Sequence, residues 1–300
     1  GVCADGGQII SDKANIVIPK GAVFYVRTFQ DAPVGILFSN RSGLNTVVGA
    51  APASGEWWDY GVTSTDYTGV ATNINNKGTG NIFAPAAIVA KTTRPSFLIV
   101  GDSRSAPIAT HESAANELGG VGEQERSLTK MYGTINVAVS GDSHVAVLTN
   151  YAKRAELIKY CSHVAIQLGI NGFAAGRTSA QCLADLATFI AARFSDKAVF
   201  VGTVPPKSSS TDSWATTGNQ TADATSNTNR IAYNNALRTG QHTLNIAGYI
   251  EIADLVESSR DSGIWKATGS ANGYTADGLH ENTAGFSLIE AGKPFAGIVQ

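Results

Sequence analysis

Phe97-Leu98-Ile99-Val100-Gly101-Asp102-Ser103 decides the fold. Four apolar residues run together with no polar alternation. That pattern suits a strand buried on both faces, as in a parallel sheet covered by helices. The run stops at a glycine, then presents an acid and a hydroxyl. Parallel sheets carry their sites at the carboxyl ends of strands, so Asp102 and Ser103 stand where a site is expected.

Downstream, strand-like and helix-like segments alternate. Ile135–Val139, His163–Leu168, Ala198–Val204 and Tyr249–Ile252 read as four further strands, the third of these stopped by Pro205-Pro206. Ile108–Leu118, Ala152–Lys159, Ala180–Phe194, Arg230–Arg238 and Ala284–Ala291 read as helices between or after them. Ala180–Phe194 carries Leu183, Leu186, Ala187, Ile190 and Ala191 on one stripe, at helical spacing. Lys207–Asn229 is rich in Ser, Thr and Asn and reads as a long loop. Strands joined by crossover helices predict a doubly wound parallel sheet over residues 95–300.

Upstream the pattern differs. Residues 1–94 show short β-rich runs such as Val23–Phe29, Trp57–Val62 and Ile82–Ala90, separated by Gly and Asn turns. They predict a small all-β, sandwich-like domain. Lys91-Thr92-Thr93-Arg94-Pro95 reads as its connector to the second domain. Adjacent strand residues point to opposite faces, so one of Trp57 and Trp58 escapes a one-sided core. That ring and Tyr60 are candidates for glycan contact, against plain core packing.

Composition narrows the function classes. Charged residues are 15% of the 300, against roughly 25% in an average soluble domain. Gly is abundant, at 32 residues, and the formal net charge is −2. A weakly charged, small-residue surface predicts a secreted, extracellular or virion-associated protein. The chain opens Gly1-Val2-Cys3 and holds a single Met, Met131, as expected of a processed or trimmed chain. No basic run marks a nucleic-acid footprint, and no apolar run reaches the roughly 18 residues of a membrane-crossing helix. Three cysteines, Cys3, Cys161 and Cys182, make no disulfide framework. Cys161 and Cys182 fall at opposite ends of a strand and are expected as buried small hydrophobes. No Cys-x-x-Cys, His-Glu-x-x-His, Walker loop or Gly-x-Gly-x-x-Gly occurs, so no metal and no cofactor is expected.

The remaining strand ends complete a chemical set. The second leads into Ser140-Gly141-Asp142-Ser143, the third into Gly169-Ile170-Asn171, and Asp277-Gly278-Leu279-His280 follows the last. A serine hydroxyl is a weak nucleophile until a base takes its proton. His280 can take it, and Asp277 can orient the ring and stabilise the imidazolium. A tetrahedral oxyanion needs fixed donors, and the Ser103 and Gly141 N–H groups and the Asn171 amide are the candidates. Gly-Asp-Ser occurs twice, at Ser103 and Ser143, and local pattern does not choose between them. Neither motif is specific alone, since each is a common turn.

Taken in order, these blocks resemble the SGNH hydrolases, also called the GDSL esterases and lipases. The resemblance covers about residues 96–290. It implies a three-layer α/β/α flavodoxin-like fold and metal-free ester hydrolysis. It implies Ser103 as nucleophile, Gly141 and Asn171 as oxyanion donors, His280 as base and Asp277 as its partner. Three positions depart from the family. Gly172 replaces the Asp usual after the Asn, Arg104 follows the nucleophile, and Glu281 stands where Pro is common. Arg104, His144 and Trp214 are expected to contact substrate from the rim, whereas His111, His163 and Tyr132 carry no catalytic expectation. The absent Gly-x-Ser-x-Gly argues against the other large serine-esterase class. The expected substrate is a small-molecule or polysaccharide ester with a short acyl group, foremost acetyl on carbohydrate. The rivals are a lipase or thioesterase of the same family, and a non-catalytic phage-tail or adhesin-like module with a vestigial fold.

Overall fold

The computed structural model describes residues 11–19, 26, 66, 68, 69, 87–107 and 110–298. Most of the expected all-β domain, with Trp57, Trp58 and Tyr60, lies outside the described residues, as does Cys3.

Five strands form one parallel sheet: β1 Ser96–Gly101, β2 Gly133–Asn136, β3 His163–Gln167, β4 Ala198–Gly202 and, last in the chain, β7 Gly248–Ile250. Their spatial order is β2-β1-β3-β4-β7. The order reverses between β1 and β3, the switch point at which doubly wound sheets open a crevice. β1 is the pivot: Leu98 pairs with both Ile135 and Val164.

The apolar run of β1 is buried on both sides, as its composition requires. Leu98 and Val100 pack with Val147, Leu186, Phe189 and Tyr233, from helices His144–Asn150, Ser179–Arg193 and Asn227–Thr239. Phe97 and Ile99 pack with Leu128, Val256 and Ile289, from helices Gly122–Leu128, Ala253–Val256 and Thr283–Ala291. The result is three layers, helix on sheet on helix. Cys161 and Cys182 are free and buried.

Several expected elements differ. The predicted helix Ile108–Leu118 is irregular over residues 110–121. The Asn116 side chain accepts from the Leu118 and Gly120 N–H groups at 3.0 and 2.8 Å, and Gly119 turns left-handed at φ 80°. These local bonds compete with helical ones. The helix begins only at Gly122. Ala152–Lys159 forms one helical turn, Ala152–Ala155, and then tightens to a 3-10 turn, Glu156–Tyr160. The helix His144–Asn150 lacks a counterpart in the sequence reading. The loop Lys207–Asn229 is built rather than open: β5 Ser208–Ser210 and β6 Gln220–Ala222 pair as an antiparallel hairpin.

One buried ion pair ties the helix Asn227–Thr239 to the end of β4 and to the residue after the helix Ala253–Val256. Arg230 and Glu257 are both fully buried, and Arg230 Nη2 donates to Glu257 Oε1 at 2.6 Å. Arg230 Nη1 also donates to the Val204 carbonyl, just past β4. Removing one partner strands a buried charge. Arg230→Met is therefore expected to cost about 3–5 kcal/mol in urea unfolding, and Arg230→Met with Glu257→Leu to recover at least half of it. A single-variant loss below about 1 kcal/mol would show that the pair is not what holds this face.

Candidate active site

β1 delivers Ser103 to the crevice. Its turn is set by Asp102, which is buried and accepts from the Arg104 N–H at 3.0 Å through Oδ1. The Asp102 carbonyl also accepts from the Ser105 and Ala106 N–H groups. Burial pushes the Asp102 carboxyl up to about 6, against the opposing pull of Arg104.

The other half of the site is a short loop, residues 275–281, closed by an isolated bridge between Thr275 and Glu281. Thr275 Oγ1 donates to the His280 carbonyl at 2.6 Å and accepts from the Gly278 N–H at 2.9 Å. Gly278 has φ 71°, and a Cβ there would meet the Ser208 carbonyl oxygen at 1.9 Å. Only glycine fits that turn. Asp277 Oδ1 accepts from the Leu279 and His280 N–H groups at 2.8 and 2.7 Å. Its Oδ2 lies 2.7 Å from His280 Nδ1. Partial burial pushes the Asp277 carboxyl up, but the His280 ring and these two N–H groups outweigh it and hold it well below the usual carboxylate range.

The two halves meet at a hydrogen bond: Ser103 Oγ lies 2.8 Å from His280 Nε2. A carboxylate at Nδ1 places the ring proton there. Nε2 is then the acceptor, turned at the Ser103 hydroxyl. Serine, histidine and aspartate, spread over 177 residues of chain, stand in one hydrogen-bonded line.

The second Gly-Asp-Ser does different work. Ser143 caps the helix His144–Asn150, its Oγ accepting from the Ala146 N–H at 3.2 Å. Asp142 pairs with Arg154. Gly141 is exposed, has φ 86°, and a Cβ there would meet nothing within 4 Å. Asn171 Nδ2 donates to the Asp142 carbonyl at 2.8 Å and reaches Asp102 Oδ2 at 3.4 Å. The second contact is long for an N–H···O bond.

The expected substrate contacts of Arg104 and His144 are corrected. Arg104 is fully buried. Its Nη2 donates to the Leu279 carbonyl at 2.7 Å and to Pro206 at 2.9 Å, so it braces the histidine loop. His144 is also fully buried, with Nε2 3.4 Å from the Tyr233 hydroxyl. Burial, then the Arg177 charge, push it down to about 3, so it is neutral. Trp214 is half-buried against Gly278, its indole N–H donating to Ser208 Oγ at 3.1 Å. It packs on the loop that carries Asp277 and His280.

The sequence reading passed over His111. Its ring stacks on His280, with centroids 3.8 Å apart and planes 14° from parallel. His111, Asp277 and His280 place ligand-type atoms within 4.8 Å of one another. Nitrogen lone pairs lie in the ring plane. Two parallel rings aim them side by side, so this arrangement is a stack and not a chelate. Nothing in the sequence near His111 marks it, because the contact depends on an irregular loop.

No family model matches the sequence, and no curated protein matches it. Among solved structures, the chain is similar to the lipase/acylhydrolase from Enterococcus faecalis, at 21% identity over 66% of this chain and 92% of that one, with a TM-score of 0.44. It is similar to a member of the lipolytic G-D-S-L family from Veillonella parvula, at 15% identity over 67% and 98%, TM-score 0.43. It is similar also to an acetylxylan esterase from Geobacillus stearothermophilus, at 12% identity over 69% and 96%, TM-score 0.41. The chemistry of the crevice is set by its own atoms, not by these likenesses.

Proposed function

We propose that this protein is a serine ester hydrolase of the SGNH type, acting on short acyl esters, foremost acetyl groups on carbohydrate hydroxyls. One observation carries the reading: the unbroken line from Ser103 Oγ through His280 to Asp277 Oδ2, at 2.8 and 2.7 Å. His280 Nε2 takes the Ser103 proton as Oγ attacks the acyl carbon. The oxyanion that forms is met by the Ser103 and Gly141 N–H groups and the Asn171 amide. His280 then gives its proton to the leaving alcohol, and water repeats the sequence on the acyl-enzyme. A vestigial module used only for binding has no need to keep this alignment.

The short acyl group rests on the rim. Ser140, Asp142 and Ser143 surround Gly141 in sequence, and the exposed apolar side chains beside them are Val139 and Val145. That small apolar surface suits a short acyl group better than a long chain. Aryl acetate is expected to be cleaved at least about tenfold faster than aryl octanoate, the discrimination of an acyl site too small for the longer chain. The reverse preference, measured as kcat/KM, would move the protein to the lipase reading.

Ser103→Ala is expected to remove nearly all hydrolysis and all fluorophosphonate labelling. Ser143→Ala should keep most of both and lose about 1 kcal/mol of stability, the worth of a helix cap. A labelled peptide containing Ser143 in place of Ser103 would overturn the assignment.

Asn171→Ala tests the oxyanion site separately. An oxyanion donor acts on charge present only in the transition state. The expected loss is in kcat, on the order of 10²–10³, with KM little changed. A change confined to KM would make Asn171 a substrate-binding group.

A further inference from the structure

We infer that His111 is a positioning residue of this site: its ring clamps the face of His280 and so keeps the imidazole aligned between Asp277 and Ser103. This rests on the proposed role of His280 as base.

The geometry is specific. The rings lie 3.8 Å apart and 14° from parallel. His111 Nε2 stands 3.7 Å from Asp277 Oδ2, too far for a hydrogen bond. His111 Nδ1 is buried and has no hydrogen-bond partner. Polar pairing therefore does not explain why this ring is held where it is. Stacking does.

The loop is pinned for that purpose on the two residues after His111. Glu112 is fully buried and accepts from the Gly122 N–H at 2.7 Å and from Arg126 Nη1 at 2.6 Å. The Ser113 N–H donates to Thr283 Oγ1 at 2.9 Å. These anchors lie on the helices Gly122–Leu128 and Thr283–Ala291, the second of which follows the histidine loop directly. His111 is thus fixed to the scaffold and not to a free tip.

A clamp matters because His280 must serve twice. It accepts from Ser103 and later donates to the leaving group, and its χ2 torsion is a soft one. The Asp277 bond at one edge fixes where Nδ1 sits. It leaves the ring free to rock about that edge, which a flat neighbour on its face prevents. The neighbour must also stay neutral, since two stacked imidazolium rings repel. Burial, then the His280 charge, hold His111 below the ordinary histidine range, opposed by Asp277.

The test compares His111→Ala with His111→Phe in the full chain. Phe keeps a flat ring and removes both nitrogens. Ala is expected to lower kcat about tenfold with KM within about twofold, because small misalignments of reacting groups are costly. Phe is expected to recover kcat to within about threefold of the parent. Proton NMR supplies a readout free of turnover: the downfield His280 Nδ1–H resonance should persist in the parent and in Phe, and broaden or vanish in Ala. Unchanged kcat and an unchanged resonance in Ala would overturn the clamp. So would a Phe variant no better than Ala, which would make the contact polar. Activity surviving Ser103→Ala would sink the esterase reading, while the resonance still reports on the clamp by itself.

Discussion

A single buried guanidinium links the strand end that carries Ser103 to the loop that carries His280. Arg104 follows Ser103 directly, at the end of β1. Its Nη2 reaches both the Pro206 and Leu279 carbonyls, and Leu279 directly precedes His280. The two catalytic halves, far apart in the chain, are thus each one residue from the same planar group. Its charge is not left alone. Glu123, fully buried, lies 3.8 Å from Nη1, and Trp265 places its ring 5.8 Å from the guanidinium carbon. Burial, then the neighbouring Glu281, push the Glu123 carboxyl well above the usual carboxylate range. A lysine would lose the flat guanidinium face that lies over the Trp265 ring.

This arrangement explains why Glu281 stands where Pro is common in the family that the sequence resembles. Glu281 is fully buried, bridges to Thr275, and faces the Arg104–Glu123 pair. Glu281 thus adds a second acid beside the Glu123 carboxyl that already faces the buried guanidinium, and its presence is one reason the Glu123 carboxyl is pushed up.

The strands of the sheet were legible because burial on both faces leaves an apolar run that few other structures produce. Phe97–Val100 and His163–Leu168 carry that mark. Ser103, Asp277 and His280, picked out by a strand end and by the Asp-x-x-His spacing, are brought into one hydrogen-bonded line. What sits around them was not legible. Arg104 and His144 look like rim residues in sequence, because charge and polarity are normally read as exposure. Their burial depends on carbonyls and hydroxyls contributed by residues up to 175 positions away. Ile108–Leu118 failed as a helix for a local reason, the Asn116 side chain, and His111 was lost with it.

Gly172 is the departure with the most direct physical account. A carboxylate there is usual in the family that the sequence resembles. The space for it is already taken. A Cβ on Gly172 would lie 3.1 Å from Cys182 Sγ and 3.7 Å from His144 Nδ1. Cys182 is fully buried in the helix Ser179–Arg193, and His144 is the first residue of the helix that Ser143 caps. The two helices therefore close up over a glycine, where a longer side chain would hold them apart. Asn171 is secured from the other side, by the Asp142 carbonyl at 2.8 Å and the buried Asp102 carboxyl at 3.4 Å. Asp102 contributes a carboxylate to that hold and Asp142 only its backbone carbonyl, while the Asp142 side chain pairs with Arg154.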